Sequence, residues 1–241
     1  MPSAVAARKL FICICLSLLS LSACSRAEDT SIQQRSFVFS GTTYPYFVYG
    51  AAASNKQPMP AILLLHGGGG NGHDFLFAWK SMAEKNGILL IAPTLPMGEE
   101  TERRVPKLFP ELLAQVEKEW NLDRSRIYLF GYSAGGYETF DGAMLNSSLF
   151  AAAAVFAAQI TPDYDWIVDR AQRKTPVAIY IGERDQAIPL AGAQRTRDVL
   201  IKKGFTVHFV QIPDQDHNYG RVSNMVNADA WKFMSQYRLP S

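Results

Sequence analysis

The chain alternates between two rhythms of apolar residues. Short uninterrupted apolar runs stand at 61–65 (AILLL), 88–93 (ILLIAP), 126–130 (RIYLF), 151–160 (AAAAVFAAQI), 177–182 (VAIYIG) and 206–212 (TVHFVQI). Between them lie amphipathic stretches at 74–86, 107–120, 134–146, 191–203 and 228–238, where apolar positions recur every three or four residues. A strand covered on both faces reads as a continuous apolar run, and a helix packed on one face reads with the 3.6-residue period. The alternation therefore predicts an α/β fold, a doubly wound and mostly parallel sheet with helices on both faces. Upstream, SFVFSGTTYPYFVYG (36–50) gives two β-branched and aromatic runs around a Gly-Thr-Thr turn, an N-terminal β-hairpin at a sheet edge. Only sixteen residues separate Ile160 from Val177, which leaves room for a minimal lid or none and predicts an open site.

The first residues follow a different pattern. Arg8 and Lys9 precede LFICICLSLLSLSA (10–23), an apolar stretch of signal-peptide rather than membrane-spanning length. It ends in Leu21-Ser22-Ala23-Cys24, which resembles the lipobox of bacterial lipoprotein signals. That resemblance implies cleavage before Cys24, acylation of Cys24 and attachment to a membrane by the lipid. The expected organisation is a signal at 1–23, a polar tether at 24–34 and one folded domain at 35–241. Cys13 and Cys15 leave with the signal, so Cys24 would remain as the single cysteine, with no internal disulfide. Ser25 after Cys24, in place of aspartate, resembles the outer-membrane sorting pattern of enterobacterial lipoproteins, so the expected location is the bacterial envelope, at the outer membrane.

Charge adds little. Twenty-four Lys and Arg against 22 Asp and Glu give +2, and loss of Arg8 and Lys9 brings this to zero, which favours neither nucleic acid nor an acidic partner. No His/Cys/Asp cluster has metal-ligand spacing, so neither a metal nor another cofactor is expected. The run Glu99, Glu100, Glu102, Arg103, Arg104 reads as a solvated loop near the rim of the site.

Chemistry concentrates where RIYLF meets the helix beginning near Ala134. Gly131-Tyr132-Ser133-Ala134-Gly135 spells G-x-S-x-G in a strand-turn-helix setting, the context of a nucleophile elbow. Gly131 and Gly135 would let strand and helix close around a serine at positive φ, at the positive end of a helix dipole. A serine hydroxyl needs a base, and the base needs an orienting acid. Of four histidines, His66 reads as structural, His73 opens a helix and His208 lies inside a strand. His217, in PDQDHNYG after the last core strand, stands at a strand's carboxyl end and is the expected base. Asp185, in GERDQAIP, is the expected acid, with Glu183, Asp214 and Asp216 as rivals. The chain order Ser133, Asp185, His217 is that of α/β-hydrolases. For the oxyanion hole, the amide of Ala134 and an amide of the run Gly67–Gly70 are the candidates, Gly68 first and Gly69 second.

Taken together, GYSAGG, HGGGGNG, GERDQAIP and DHNYG resemble the α/β-hydrolase superfamily over nearly the whole mature length. LLLHGGGGNGHDF and the pattern Trp120-Asn121-Leu122-Asp123-Arg124-Ser125-Arg126-Ile127 resemble the group of polyhydroxybutyrate depolymerase-like and feruloyl esterase-like enzymes. The resemblance implies an α/β-hydrolase domain that cleaves carboxylic esters, of small-molecule or polymeric substrates, with Ser133, Asp185 and His217 as its triad. Two other classes stay open: a prolyl oligopeptidase-like serine peptidase, since the C-terminal half has that look too, and a non-catalytic hydrolase-like binding lipoprotein. Of the remaining aromatics, Trp79 and Trp120 read as core residues on helix faces. Trp231, Phe233, Met234 and Tyr237 read as the docking face of a terminal helix. Tyr164 and Trp166 either line the cleft or pack a connection.

Overall fold

The computed structural model describes residues 32–50, 57–96 and 99–240. The expected signal segment and Cys24 lie outside them. The domain is an eight-stranded sheet in the order β1-β2-β4-β3-β5-β6-β7-β8. Strands β1 (Ile32–Phe39) and β2 (Thr42–Tyr49) form the antiparallel hairpin at one edge, and β2 joins β4 (Leu89–Pro93) antiparallel. From β4 onward the sheet is parallel, through β3 (Met59–Leu65), β5 (Leu122–Tyr132), β6 (Ala152–Phe156), β7 (Val177–Gly182) and β8 (Val207–Ile212). Strand β1 starts three residues inside the stretch assigned to the tether, because Ile32 to Gln34 find ladder partners in Tyr49 to Phe47. The hairpin turn is Ser40-Gly41, both at positive φ, and the two threonines already belong to β2. A two-residue turn with both φ values positive matches the strands' right-handed twist.

Seven helices cover the faces among the described residues. Helix α1 (Gly72–Phe77), α2 (Lys80–Asn86) and α7 (Ser223–Met234) share one face, where Asn227 Nδ2 donates to the Ala78 carbonyl at 2.8 Å. Helix α3 (Glu99–Val116), α4 (Ala134–Leu145), α5 (Trp166–Arg170) and α6 (Leu190–Lys202) share the other, with Arg195 of α6 paired to Asp165 and Lys203 paired to Asp169. Strands β3, β4, β6 and β7 are buried at every position, as their unbroken apolar runs require, whereas edge strand β8 stays partly exposed.

Three boundaries differ from the sequence pattern. The helix expected at 74–86 breaks at Trp79, whose fully buried indole packs edge-on against Phe130 at 4.7 Å between centroids. Helix α3 begins at Glu99, so the charge run expected in a loop lies in its first turns, and Pro106 and Pro110 are accommodated inside it. It ends at Val116, which leaves Trp120 beyond the helix, packed on Gly50. Asp123 and Arg126 fall in β5, where Asp123 accepts from Arg126 Nε at 2.6 Å and from the Ser125 amide at 3.0 Å. That local clasp gives the Asp-x-x-Arg spacing a structural purpose at the strand's start.

Candidate active site

Strands β3 and β5 are neighbours, but the sheet continues to β4 from one and to β6 from the other. A crevice at the carboxyl ends of such a pair is where open α/β sheets collect ligands. Ser133 follows β5 directly and begins α4 with φ 53° and ψ −117°. A non-glycine residue held there costs about 1–3 kcal/mol and persists only when its surroundings fix it. They do: the Ser133 amide donates to the Phe156 carbonyl at 3.0 Å, and its carbonyl accepts from the Gly136 amide at 2.8 Å. A Cβ at Gly131 would lie 2.2 Å from the Gly135 carbonyl oxygen, and one at Gly135 would lie 2.2 Å from that of Leu65. Only glycine lets β3, β5 and α4 close to this distance.

The three residues expected to act together meet. His217 Nε2 lies 2.9 Å from Ser133 Oγ, and His217 Nδ1 lies 2.8 Å from Asp185 Oδ2. Since the carboxylate only accepts, Nδ1 carries the proton and Nε2 offers its lone pair to the serine hydroxyl. The Asp185 side chain has 0% exposure, and its second oxygen accepts from the Ala187 and Ile188 amides at 2.9 and 2.8 Å. Those bonds offset the cost of burying a carboxylate and fix its direction. The rival acids are engaged elsewhere or exposed: Asp214 pairs with Arg184, Asp216 with Arg221 at 3.1 Å, and Glu183 faces solvent.

The two loops are tied to each other. The Arg184 amide donates to the Gln215 carbonyl at 2.9 Å, and the buried Gln215 side chain donates to the carbonyls of Asp216 and Asn218 at 2.9 and 2.8 Å. Tyr132, the residue before the serine, donates its hydroxyl to the His217 carbonyl at 2.9 Å. Burial, followed by the nearby Asp185 and Asp216 carboxylates, pushes the Tyr132 phenol above its ordinary value and keeps its proton in place. In the sequence Tyr132 is only the variable position of G-x-S-x-G, and no local signal marks its partner.

The glycine run sits beside the serine. Gly68 is exposed, and a Cβ on it would lie 4.0 Å from that of Ala134, so the two residues face each other. The Ala134 amide is first in its helix and has no carbonyl of its own helix to bond. Gly69, the second candidate, takes φ 71° to turn the loop. His66 holds the turn from below, as expected of a structural residue. Its Nε2 accepts from the Leu95 amide at 3.2 Å, so Nδ1 donates to the Gly67 carbonyl at 2.8 Å. Burial holds its pKa below the ordinary histidine value, which keeps the ring neutral for that pair of bonds.

The connection from Ile160 to Val177 contains only a 3-10 turn at Pro162–Tyr164 and α5, so it builds no lid domain. Trp166 packs edge-on to Tyr164 at 5.1 Å and under Arg170, yet remains 41% exposed. A depression of about 520 Å³ beside His217 is lined by Arg184, Gln186, Ala187, Asp216 and Asn218. A larger and mostly apolar groove of about 770 Å³ is lined by Arg124 and Ser125 near the start of β5 and by Ile127 at its middle. Five residues of strand stand between Ile127 and Ser133, six steps and roughly 20 Å, so that groove is no part of this site. Among the described residues no group of three or more His, Cys, Asp and Glu could hold a metal ion, and no helix is long and apolar enough to cross a membrane.

Fold and site together define an α/β-hydrolase. The chain belongs to the dienelactone hydrolase family, whose model matches residues 48–236. It is 28% identical over 144 residues to a bifunctional acetylxylan esterase/xylanase of Neocallimastix patriciarum, an alignment that takes in 57% of this chain and 21% of that protein. Among solved structures, a thermostable esterase superposes with a TM-score of 0.66 at 20% identity, over 86% of this chain and 63% of that one. A CE1 ferulic acid esterase of Anaeromyces mucronatus superposes with a TM-score of 0.68 at 15% identity, over 81% of this chain and 89% of its own. The chain thus spans about a fifth of the acetylxylan esterase/xylanase and less than two thirds of the thermostable esterase.

Proposed function

We propose that the protein is a serine-dependent carboxylic ester hydrolase acting through Ser133, His217 and Asp185. The observation that carries this reading is the unbroken hydrogen-bond chain from Asp185 through His217 to a hydroxyl raised on a strained turn. His217 Nε2 takes the Ser133 proton as Oγ attacks the ester carbonyl. The tetrahedral oxyanion forms between the amides of Ala134 and Gly68, where each donor is worth about 3 kcal/mol of barrier. Collapse expels the alcohol, which receives the proton from His217 and leaves an acyl group on Ser133. Water then repeats the sequence through the same base and frees the acid.

Names borne by similar proteins, an acetylxylan esterase/xylanase and a ferulic acid esterase, support small-molecule or polymeric esters as the substrate class. The feruloyl esterase-like and polyhydroxybutyrate depolymerase-like group is the one we favour within the α/β-hydrolase superfamily. The Cys24 pattern supports a lipid-anchored protein of the bacterial envelope, at the outer membrane. The test is to treat the detergent-solubilised full chain with a fluorophosphonate and locate the adduct by mass spectrometry. One adduct on Ser133, absent from Ser133→Ala and His217→Ala, is expected; folded protein that takes up no probe overturns the reading.

A further inference from the structure

The residue between the first glycine and the serine of the elbow stands under both halves of the catalytic apparatus. Tyr132 reaches forward with its hydroxyl to the backbone carbonyl of His217, 85 residues later, at 2.9 Å. Its ring packs against the His217 imidazole at 5.3 Å between centroids. The same ring lies beneath the glycine turn, since a Cβ on Gly67 would come within 2.8 Å of its Cδ1 and Cε1.

The ring itself is held. It stacks on Tyr219 at 5.6 Å and 24° and on Phe75 at 6.5 Å and 25°, and it leans on Phe156 at 5.9 Å. Tyr219 is anchored in turn, its hydroxyl bonded to Asn227, which ties α7 to the Ala78 carbonyl. A phenylalanine would fill this stack equally well. The hydroxyl adds a bond to the main chain of the histidine, at a site where burying a phenol without a partner would be costly. The base's carbonyl is therefore held by Tyr132 and the carbonyls of its two neighbours by Gln215, whereas the ring nitrogens meet Asp185 and Ser133.

We propose that Tyr132 is a positioning residue that sets the place of His217 and the height of the glycine turn at once, a role resting on the triad reading above. Its hydroxyl holds the base's main chain, and its ring packs on both the imidazole and the glycine turn, so substitution separates the hydroxyl's contribution from the ring's. Tyr132→Phe deletes the hydroxyl and keeps the stack. Tyr132→Leu deletes the support under Gly67 as well.

The experiment uses the detergent-solubilised full chain, a short-chain p-nitrophenyl ester and the low-field proton resonance of the His217 Nδ1–H···Asp185 bond. Tyr132→Phe is expected to lower kcat by roughly three- to tenfold, the equivalent of one neutral hydrogen bond, with KM within about twofold. The low-field resonance should shift or broaden while the melting temperature changes little. Tyr132→Leu should lower kcat further, again with KM nearly unchanged. If either variant melts early, all readings are taken at a temperature where circular dichroism shows it folded. A Tyr132→Phe protein with unchanged kcat and an unmoved resonance overturns the proposal, as does a fall in kcat that only follows loss of folded protein. Wild-type protein that takes no fluorophosphonate on Ser133 is a different failure, which removes the triad reading and the Tyr132 role with it.

Discussion

Two of the histidine–aspartate pairs among the described residues have nearly equal length and unequal meaning. His217 meets Asp185 at 2.8 Å, and His208 meets Asp229 at 2.7 Å. In the first pair the carboxylate is fully enclosed, two backbone amides aim it, and the far ring nitrogen faces a serine. In the second, both side chains are more than a third exposed, Asp229 also accepts from the Tyr180 hydroxyl at 2.9 Å, and the ring lies stacked on Phe233. His208 pairs with Ala178 near the start of β7, away from the carboxyl edge of the sheet. Distance alone does not make a relay. The third partner, the enclosure and the place on the strand do.

The comparison can be broken at its strong end first. Ser133→Ala or His217→Ala should reduce ester turnover by a factor of about a million, measured as kcat per mole of folded protein, while the fold survives. Asp185→Asn preserves the geometry but favours the wrong tautomer, and kcat should drop by about ten-thousandfold. At the second pair, His208→Ala should leave kcat within about twofold and cost about 1 kcal/mol in urea unfolding, since exposed pairs contribute little. A large loss of turnover in that variant would erase the distinction between the two pairs.

The smallest effect is one of pH. Burial pushes the Asp229 carboxyl up, but hydrogen bonds from His208 and Tyr180 and the nearby charges of His208 and Lys232 outweigh it and hold it below its ordinary value. A depressed carboxylate contributes its stability above the unfolded pKa and loses it as pH falls through the folded one. Asp229→Asn should therefore flatten part of the acid limb below about pH 4, by lowering stability a little at neutral pH, where the wild-type carboxylate contributes, and leaving it almost unchanged at the acid end.

Much of this was legible in the chain, for a physical reason. Strands buried on both faces have no choice but to be apolar throughout, so β3 to β7 announce themselves. The elbow announces itself because three backbones converge where only Gly131 and Gly135 fit. The break at Trp79 was hidden, because the apolar period runs through it and only the indole's packing on Phe130 decides the kink. The start of α3 was hidden behind a charge run and a proline, features that read as loop until the rest of the fold supports a helix. The role of Tyr132 could not be read at all, since its partner is a main-chain carbonyl and any residue supplies one. His208 and Asp229 lie on different elements, and their meeting depends on how α7 docks.

One feature of the sheet's carboxyl edge bears on heat tolerance. Ser133 and Ala157, at the ends of adjacent strands, both hold left-handed φ angles, 53° and 55°, without being glycine. At Ser133 the role proposed for the hydroxyl accounts for it. At Ala157 nothing chemical does, and a methyl group at such an angle raises the energy of the folded chain by about 1 kcal/mol. The methyl is fully buried, so Ala157→Gly sets relief of that strain against lost packing and added chain entropy, and melts higher only where the strain is the larger, with the hydroxyl, the base and the acid all left in place. If it does so at undiminished turnover, the protein is carrying less thermal tolerance than its architecture allows. If turnover falls as the melting point rises, the stiffness of that edge belongs to the working site.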